Sequence, residues 1–128
     1  MIYLDSSVAL AHLFLEERRP GEELWAERLV ASRLLEYEIF NRINARELAS
    51  ETREAARTLL TRVDLIDLGP DILARALHPF PVHVRTLDAL HLATMLFLTK
   101  EGAGFTLATY DRRLEAAAKA CGVACRTA

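Results

Sequence analysis

Cysteine is scarce in this chain of 128 residues. Cys121 and Cys125 are the only two, too few for a disulfide framework and lacking the partners of a zinc site. They read as idle or buried thiols in a reducing compartment. Charge of one sign is lacking too: the formal net charge is −2. This excludes bulk attraction to a polyanion, so any contact with nucleic acid must come from local arginines or from a bound cation. No apolar run reaches membrane-spanning length and no secretion leader is read, so the expectation is a cytoplasmic chain without membrane association. Repeats, linkers and low-complexity stretches are missing as well. What is present is one stretch, 1–128, expected to be a single domain. Its hydrophobic fraction of 52% suits an extensive core, an oligomer interface or both.

The pattern along the chain alternates short strands and helices. Ile2–Asp5 reads as a buried strand, and Ser6-Ser7 as the cap of a helix over Val8–Glu16. Arg18-Arg19-Pro20-Gly21 breaks the chain before a helix over Glu22–Arg28. A weakly marked strand, Val30–Leu34, precedes a helix from Leu35 to about Glu47 and another over Glu51–Arg62. Val63–Leu68 reads as a strand, Gly69-Pro70 opens a helix over Asp71–Leu77, and His78-Pro79-Phe80-Pro81 is a loop. Leu87–Lys100 is apolar nearly all round and is expected to be buried on several sides. Phe105–Thr109, Arg112–Cys121 and Val123–Arg126 read as strand, helix and a last short strand. This order predicts an α/β fold with a short, mostly parallel central sheet flanked by helices on both faces.

Four acids lie at edges of these elements. Asp5 and Asp111 follow strands, and ligands in such sheets bind beyond the carboxyl ends of the strands. Glu38 and Asp88 come from the first turns of helices that would face the same edge. Two unit charges about 4 Å apart repel by roughly 4 kcal/mol at an effective dielectric of about 20. A gathered set therefore needs a cation, and all-oxygen ligands suit Mg²⁺ or Mn²⁺. That points to metal-dependent phosphodiester chemistry.

Plainer roles compete for each acid. Asp5 and Asp111 precede helices, and alone each is more often an N-cap than a ligand. Asp88 sits where the helix macrodipole favours a carboxylate. Glu38 competes with Glu36. On a helical wheel Leu35, Ile39, Phe40 and Ile43 form the apolar arc with Glu36 inside it, whereas Glu38 falls opposite with Asn41, Arg42 and Ala45. That favours Glu38 for a polar cleft.

Together these residues resemble the PIN-domain ribonucleases, and among them the VapC-like toxins of type II toxin–antitoxin pairs. Ile2-Tyr3-Leu4-Asp5-Ser6-Ser7 is similar to the family's first motif. Ala31-Ser32-Arg33-Leu34 with Glu38-Ile39-Phe40-Asn41 resembles the second, which also selects Glu38 over Glu36. Leu87-Asp88-Ala89-Leu90-His91-Leu92-Ala93 is similar to the third and is the most specific stretch. Thr109-Tyr110-Asp111-Arg112-Arg113-Leu114 resembles the fourth. The resemblance spans essentially the whole chain, with the motifs in the family's order.

It implies a PIN-like fold and a Mg²⁺- or Mn²⁺-dependent endoribonuclease, with Asp5, Glu38, Asp88 and Asp111 around the metal. Ser6 and Thr109 would orient a ligand or water, and Arg42 and Arg112 would contact RNA. The implied partners are an RNA substrate, a cognate antitoxin protein and a second copy of the chain in a homodimer. No histidine or lysine is placed as general base; His91 reads as a core or surface residue, and His12, His78 and His83 show no metal spacing. Trp25 and Phe14 read as core. A phosphoacceptor receiver domain of similar size fits poorly, because serines follow Asp5 and no lysine follows Val123. A catalytically silent PIN-like domain that only binds protein or RNA remains the alternative, although the acidic set looks intact.

Overall fold

The computed structural model describes residues 1–47 and 50–126. Five strands, β1 (Ile2–Leu4), β2 (Leu29–Ser32), β3 (Val63–Ile66), β4 (Thr106–Ala108) and β5 (Cys125–Arg126), form one sheet in the order β3-β2-β1-β4-β5. Every pairing is parallel. Helices α1 (Ser6–Leu13) and α2 (Glu22–Trp25) join β1 to β2, and α3 (Leu34–Ala45) and α4 (Ser50–Leu60) join β2 to β3. Helices α5 (Pro70–Ala76) and α6 (Thr86–Lys100) cross back to β4, and α7 (Arg112–Ala120) leads to β5.

The chain builds outward from β1 through β2 to β3, then returns to the other side of β1 for β4 and β5. Right-handed crossovers in opposite directions place their helices on opposite faces, and the buried residues divide that way. On one face Ile2, Leu4, Leu29 and Ala31 pack with Val8, Leu24, Trp25, Leu35, Ile39 and Leu59 from α1 to α4. On the other, Tyr3, Val30 and Leu107 pack with Leu92, Met95, Leu98 and Leu114 from α6 and α7. The strand period of two assigns consecutive residues of β1 to these two layers. The reversal leaves a crevice at the carboxyl ends of β1 and β4, the position this architecture uses for ligands.

The expected α/β class and the two-faced helix layers are observed. Several boundaries differ. The second strand is Leu29–Ser32, not Val30–Leu34; its four residues are all buried, so no polar alternation marks its ends. Leu34 instead opens α3. Helix α2 stops at Trp25, short of Arg28, whose carbonyl already accepts the Ile2 N–H at 2.8 Å as the sheet begins.

Helix α1 starts at Ser6 with Asp5, not the serines, as its N-cap. It ends before the expected Glu16 in a Schellman motif: Glu16 N–H donates to Ala11 O and Leu15 N–H to His12 O. Leu15 supplies the left-handed residue at φ 52°. Helix α6 is buried along His91–Met95 and at Leu98, while its first turn is open, with Leu87 exposed. Trp25 lies in the core as expected and Phe14 packs against it.

Ile39 and Leu77 provide a stability test of this packing. Ile39 is fully enclosed and Leu77 is 86% exposed. Ile39→Ala is expected to cost about 2–5 kcal/mol through lost burial and a cavity. Leu77→Ala is expected to stay within about 0.5 kcal/mol of the parent. Urea unfolding midpoints check both values, and equal losses would contradict the assigned core.

Candidate active site

Asp5 is the best-anchored acid. It directly follows β1, and its N–H donates to Ala108 O at 3.1 Å. Its side chain is nearly buried, 5% exposed. A carboxylate there needs hydrogen bonds to stay charged. Three arrive at Oδ2: from Ser7 N–H at 3.3 Å, Ser7 Oγ–H at 2.6 Å and Thr109 Oγ1–H at 2.8 Å. Among the described residues no donor reaches Oδ1.

The two hydroxyls also lock the neighbouring strand end. Ser7 Oγ accepts from Tyr110 N–H at 2.9 Å, and Thr109 Oγ1 accepts from Asp111 N–H at 2.9 Å. Asp111 is exposed and caps α7, its Oδ1 accepting from Arg113 N–H at 2.9 Å and Leu114 N–H at 3.2 Å. The capping role weighed for Asp5 and Asp111 is therefore real. It engages one oxygen of each carboxylate, and among the described residues no donor reaches the other.

Glu38 lies in the second turn of α3, one turn later than the sequence pattern places it, and is part-buried. Its Oε1 accepts from His91 Nε2 at 2.7 Å. Glu36 has no such partner among the described residues, which distinguishes the two acids more firmly than the helical wheel. His91 is a core residue on α6, 1% exposed, and its Nδ1 lies 2.8 Å from the Tyr3 hydroxyl. Burial weakens the His91 imidazolium, but the hydrogen bond and charge of Glu38, with Asp5 and Asp88, outweigh it and raise the pKa.

Asp88 is in the first turn of α6 and accepts no hydrogen bond among the described residues. Its pKa is raised by burial first, then by the charges of Asp111 and Asp5; His91 and Arg85 oppose this. Asp88 is thus near enough to Asp5, which follows β1, and to Asp111, which caps α7, for their charges to act on it. Glu38 joins them through His91, which also senses Asp5 and Asp88.

A cavity of about 780 Å³ lies elsewhere, between α5 and the start of α6 beside Phe80 and Leu77. It holds none of these acids. A cleft of about 630 Å³ does reach Glu38 and is lined by Tyr37, Asn41, Arg53 and Arg57. Convergent charge is the better guide to chemistry than volume.

Residues 2–120 match the PIN domain family. The chain belongs to that family. It is 32% identical to "Ribonuclease VapC35" of Mycobacterium tuberculosis, over 97% of this chain and 94% of the relative. It is 33% identical to "Ribonuclease VapC46" of the same species, over 96% and 94%. Among solved structures it superposes on Mycobacterium tuberculosis VapC20, described as a sarcin-ricin loop cleaving toxin, with a TM-score of 0.68. That match has 22% identity and covers 91% of this chain and 95% of the other. A toxin–antitoxin complex from Klebsiella pneumoniae matches with a TM-score of 0.67 and 17% identity, covering 94% of each chain. These structural likenesses bear on the fold.

In this PIN domain the sequence pattern missed Ser7, Tyr3 and His91 as supports. The side chain of Ser6, the serine it favoured, makes no hydrogen bond among the described residues, whereas Ser7 bonds Asp5 twice, Thr109 and Tyr110. The i+2 spacing of Ser7 from an N-capping Asp was the available signal. Thr109 is placed as expected, against Asp5. Arg42 and Arg112 are exposed, one turn after Glu38 and directly after Asp111.

The electrostatics predict opposite effects from two single-charge removals in metal-free buffer at neutral pH. Asp111→Ala loses the α7 cap and is expected to cost about 0.5–2 kcal/mol. Asp88→Asn removes a repelled, unbonded charge and is expected to raise the unfolding midpoint. Denaturation in EDTA checks both, and a lower midpoint for Asp88→Asn would contradict the clustered charges.

Proposed function

We propose that this PIN domain is a divalent-metal-dependent endoribonuclease and the toxin of a toxin–antitoxin pair. One observation carries the proposal: the charges of Asp5 and Asp111 act on Asp88, Glu38 bonds the His91 that senses Asp5 and Asp88, and among the described residues one oxygen each of Asp5 and Asp111 meets no donor. The repulsion that raises the Asp88 pKa is what a bound cation would relieve.

The residues fit a hard divalent ion such as Mg²⁺ or Mn²⁺. The donor set is all carboxylate oxygen. Among the described residues no three His, Cys, Asp or Glu side chains form a ready-made cage. Mg²⁺ commonly keeps several waters and takes one or two carboxylates together with substrate phosphate. When bound, such an ion polarises a phosphoryl oxygen and lowers the pKa of a water.

The protein's own groups have distinct tasks. Asp5, held by Ser7 and Thr109, Glu38, held by His91, and the open Asp88 and Asp111 would hold the ion. Ser6 and Thr109 would orient a water or ligand by hydrogen bonding. Arg42 and Arg112 would meet RNA phosphates from either side of the acidic edge. The ribonuclease relatives and the toxin–antitoxin neighbours support RNA as substrate and an antitoxin protein as partner. A homodimer and a single domain over 1–128 complete the reading. A cytoplasmic location is part of the same proposal; no helix among the described residues is long and apolar enough to cross a membrane.

Purified protein incubated with a mixture of structured RNAs tests the activity. Cleavage is expected with Mg²⁺ or Mn²⁺ and is expected to vanish in EDTA and in Asp5→Asn. Equal cleavage by Asp5→Asn would remove the site from the reaction. Absence of cleavage on a broad RNA panel would favour a silent PIN-like binding domain.

A further inference from the structure

His91 belongs to a buried chain of hydrogen bonds that starts in the sheet and ends on an acid of the site. The Ser32 N–H, at the end of β2, donates to the Tyr3 hydroxyl oxygen at 3.1 Å. Tyr3 itself is fully buried and lies on β1, next to Ser32's strand. Burial, opposed by the Ser32 hydrogen bond, holds the Tyr3 pKa far above its usual value, so the phenol keeps its proton.

With its oxygen accepting from Ser32, the Tyr3 O–H is free to donate to His91 Nδ1 at 2.8 Å. The ring hydrogen then sits on Nε2, which donates to Glu38 Oε1 at 2.7 Å. An Nε2–H faces Glu38 in the neutral tautomer and in the imidazolium alike, so the link does not depend on titration of the ring.

Glu38 is a long side chain with three rotors and a part-exposed carboxylate, 20% exposed. Nothing else among the described residues bonds it. We propose that Ser32, Tyr3 and His91 form a positioning relay that fixes Glu38 with Oε1 occupied and Oε2 presented to the divalent ion. Helix α6 thereby serves the site twice. It carries Asp88 directly, and one turn later it carries the residue that aims the acid of α3. Buried donors of this kind behind ligating groups are what set ligand orientation and metal affinity in general. His91 is a positioning residue here, since it touches neither RNA nor ion.

The proposal rests on the metal-site reading above, and the test keeps the two apart. The full chain is titrated with MnCl₂ by water-proton relaxation or calorimetry, and cleavage of structured RNA is followed over rising Mn²⁺. The proteins are the parent, Glu38→Gln, His91→Phe, His91→Gln and Tyr3→Phe, with thermal unfolding of each. His91→Phe is expected to bind Mn²⁺ about tenfold or more weakly, and His91→Gln, which restores an N–H donor, to remain within about threefold of the parent. Raising Mn²⁺ is expected to restore cleavage by His91→Phe with KM for RNA unchanged at saturating metal, a rescue that a merely structural role would not give. Tyr3→Phe keeps the ring and the packing and is expected to weaken Mn²⁺ binding in the same direction.

Parent-like Mn²⁺ binding by folded His91→Phe and Tyr3→Phe, alongside weakened binding by Glu38→Gln, would overturn the relay and spare the metal site. Parent-like binding by Glu38→Gln would overturn Glu38 as a ligand and the relay with it. A parent protein that neither binds Mn²⁺ nor cuts RNA would overturn the underlying reading.

Discussion

A carboxylate removed from water is costly unless donors surround it, and the edge of this sheet is organised around that constraint at Asp5. Three hydrogen bonds converge on its Oδ2. Two come from hydroxyls that also accept backbone N–H groups of the loop after β4. The same contacts that stabilise the charge therefore join the carboxyl ends of β1 and β4. Asp111 inherits its place from that junction, because its N–H is held by Thr109. Removing either hydroxyl would loosen an acid and a strand connection together.

The remaining acids are arranged less securely and at a cost. Among the described residues no donor reaches the Asp88 carboxylate, and the charges of Asp111 and Asp5 act on it. On the proposed reading stability and function conflict at this residue, as they commonly do at sites that bind a charge. Glu38 is reached from behind by His91. The two helices that bring Glu38 and Asp88 lie on opposite faces of the sheet, α3 packing in one core layer and α6 in the other. The His91–Glu38 bond bridges those layers at the crevice, where the reversed strand order opens the sheet edge.

Much of this was legible before the structure. Alternating strands and helices predict the α/β class, and Asp5 and Asp111 stand out because each interrupts an apolar or hydroxyl-rich run at a strand end. The PIN resemblance added the order of the four motifs and the choice of Glu38. Other features were not legible for physical reasons. A strand buried on both faces carries no alternation, so Leu29–Ser32 was displaced by one residue at its start and two at its end. Ser6 and Ser7 have the same chemistry, and only the turn of α1 decides which faces Asp5. The relay through Tyr3 and His91 joins residues 88 positions apart. It depends on the packing of β1 against α6, which no local pattern encodes. His91, read as a core or surface histidine, lies in the core, and its second nitrogen is what gives it a bearing on the proposed site.

The central claim is that four carboxylates from separate elements form one divalent-ion site. An anomalous difference map from crystals grown or soaked with Mn²⁺ tests it most directly. The account predicts a peak enclosed by Asp5, Glu38, Asp88 and Asp111, with Glu38 contributing Oε2 and its Oε1 still on His91. A well-occupied Mn²⁺ peak elsewhere, with this cluster empty at saturating metal, would contradict it.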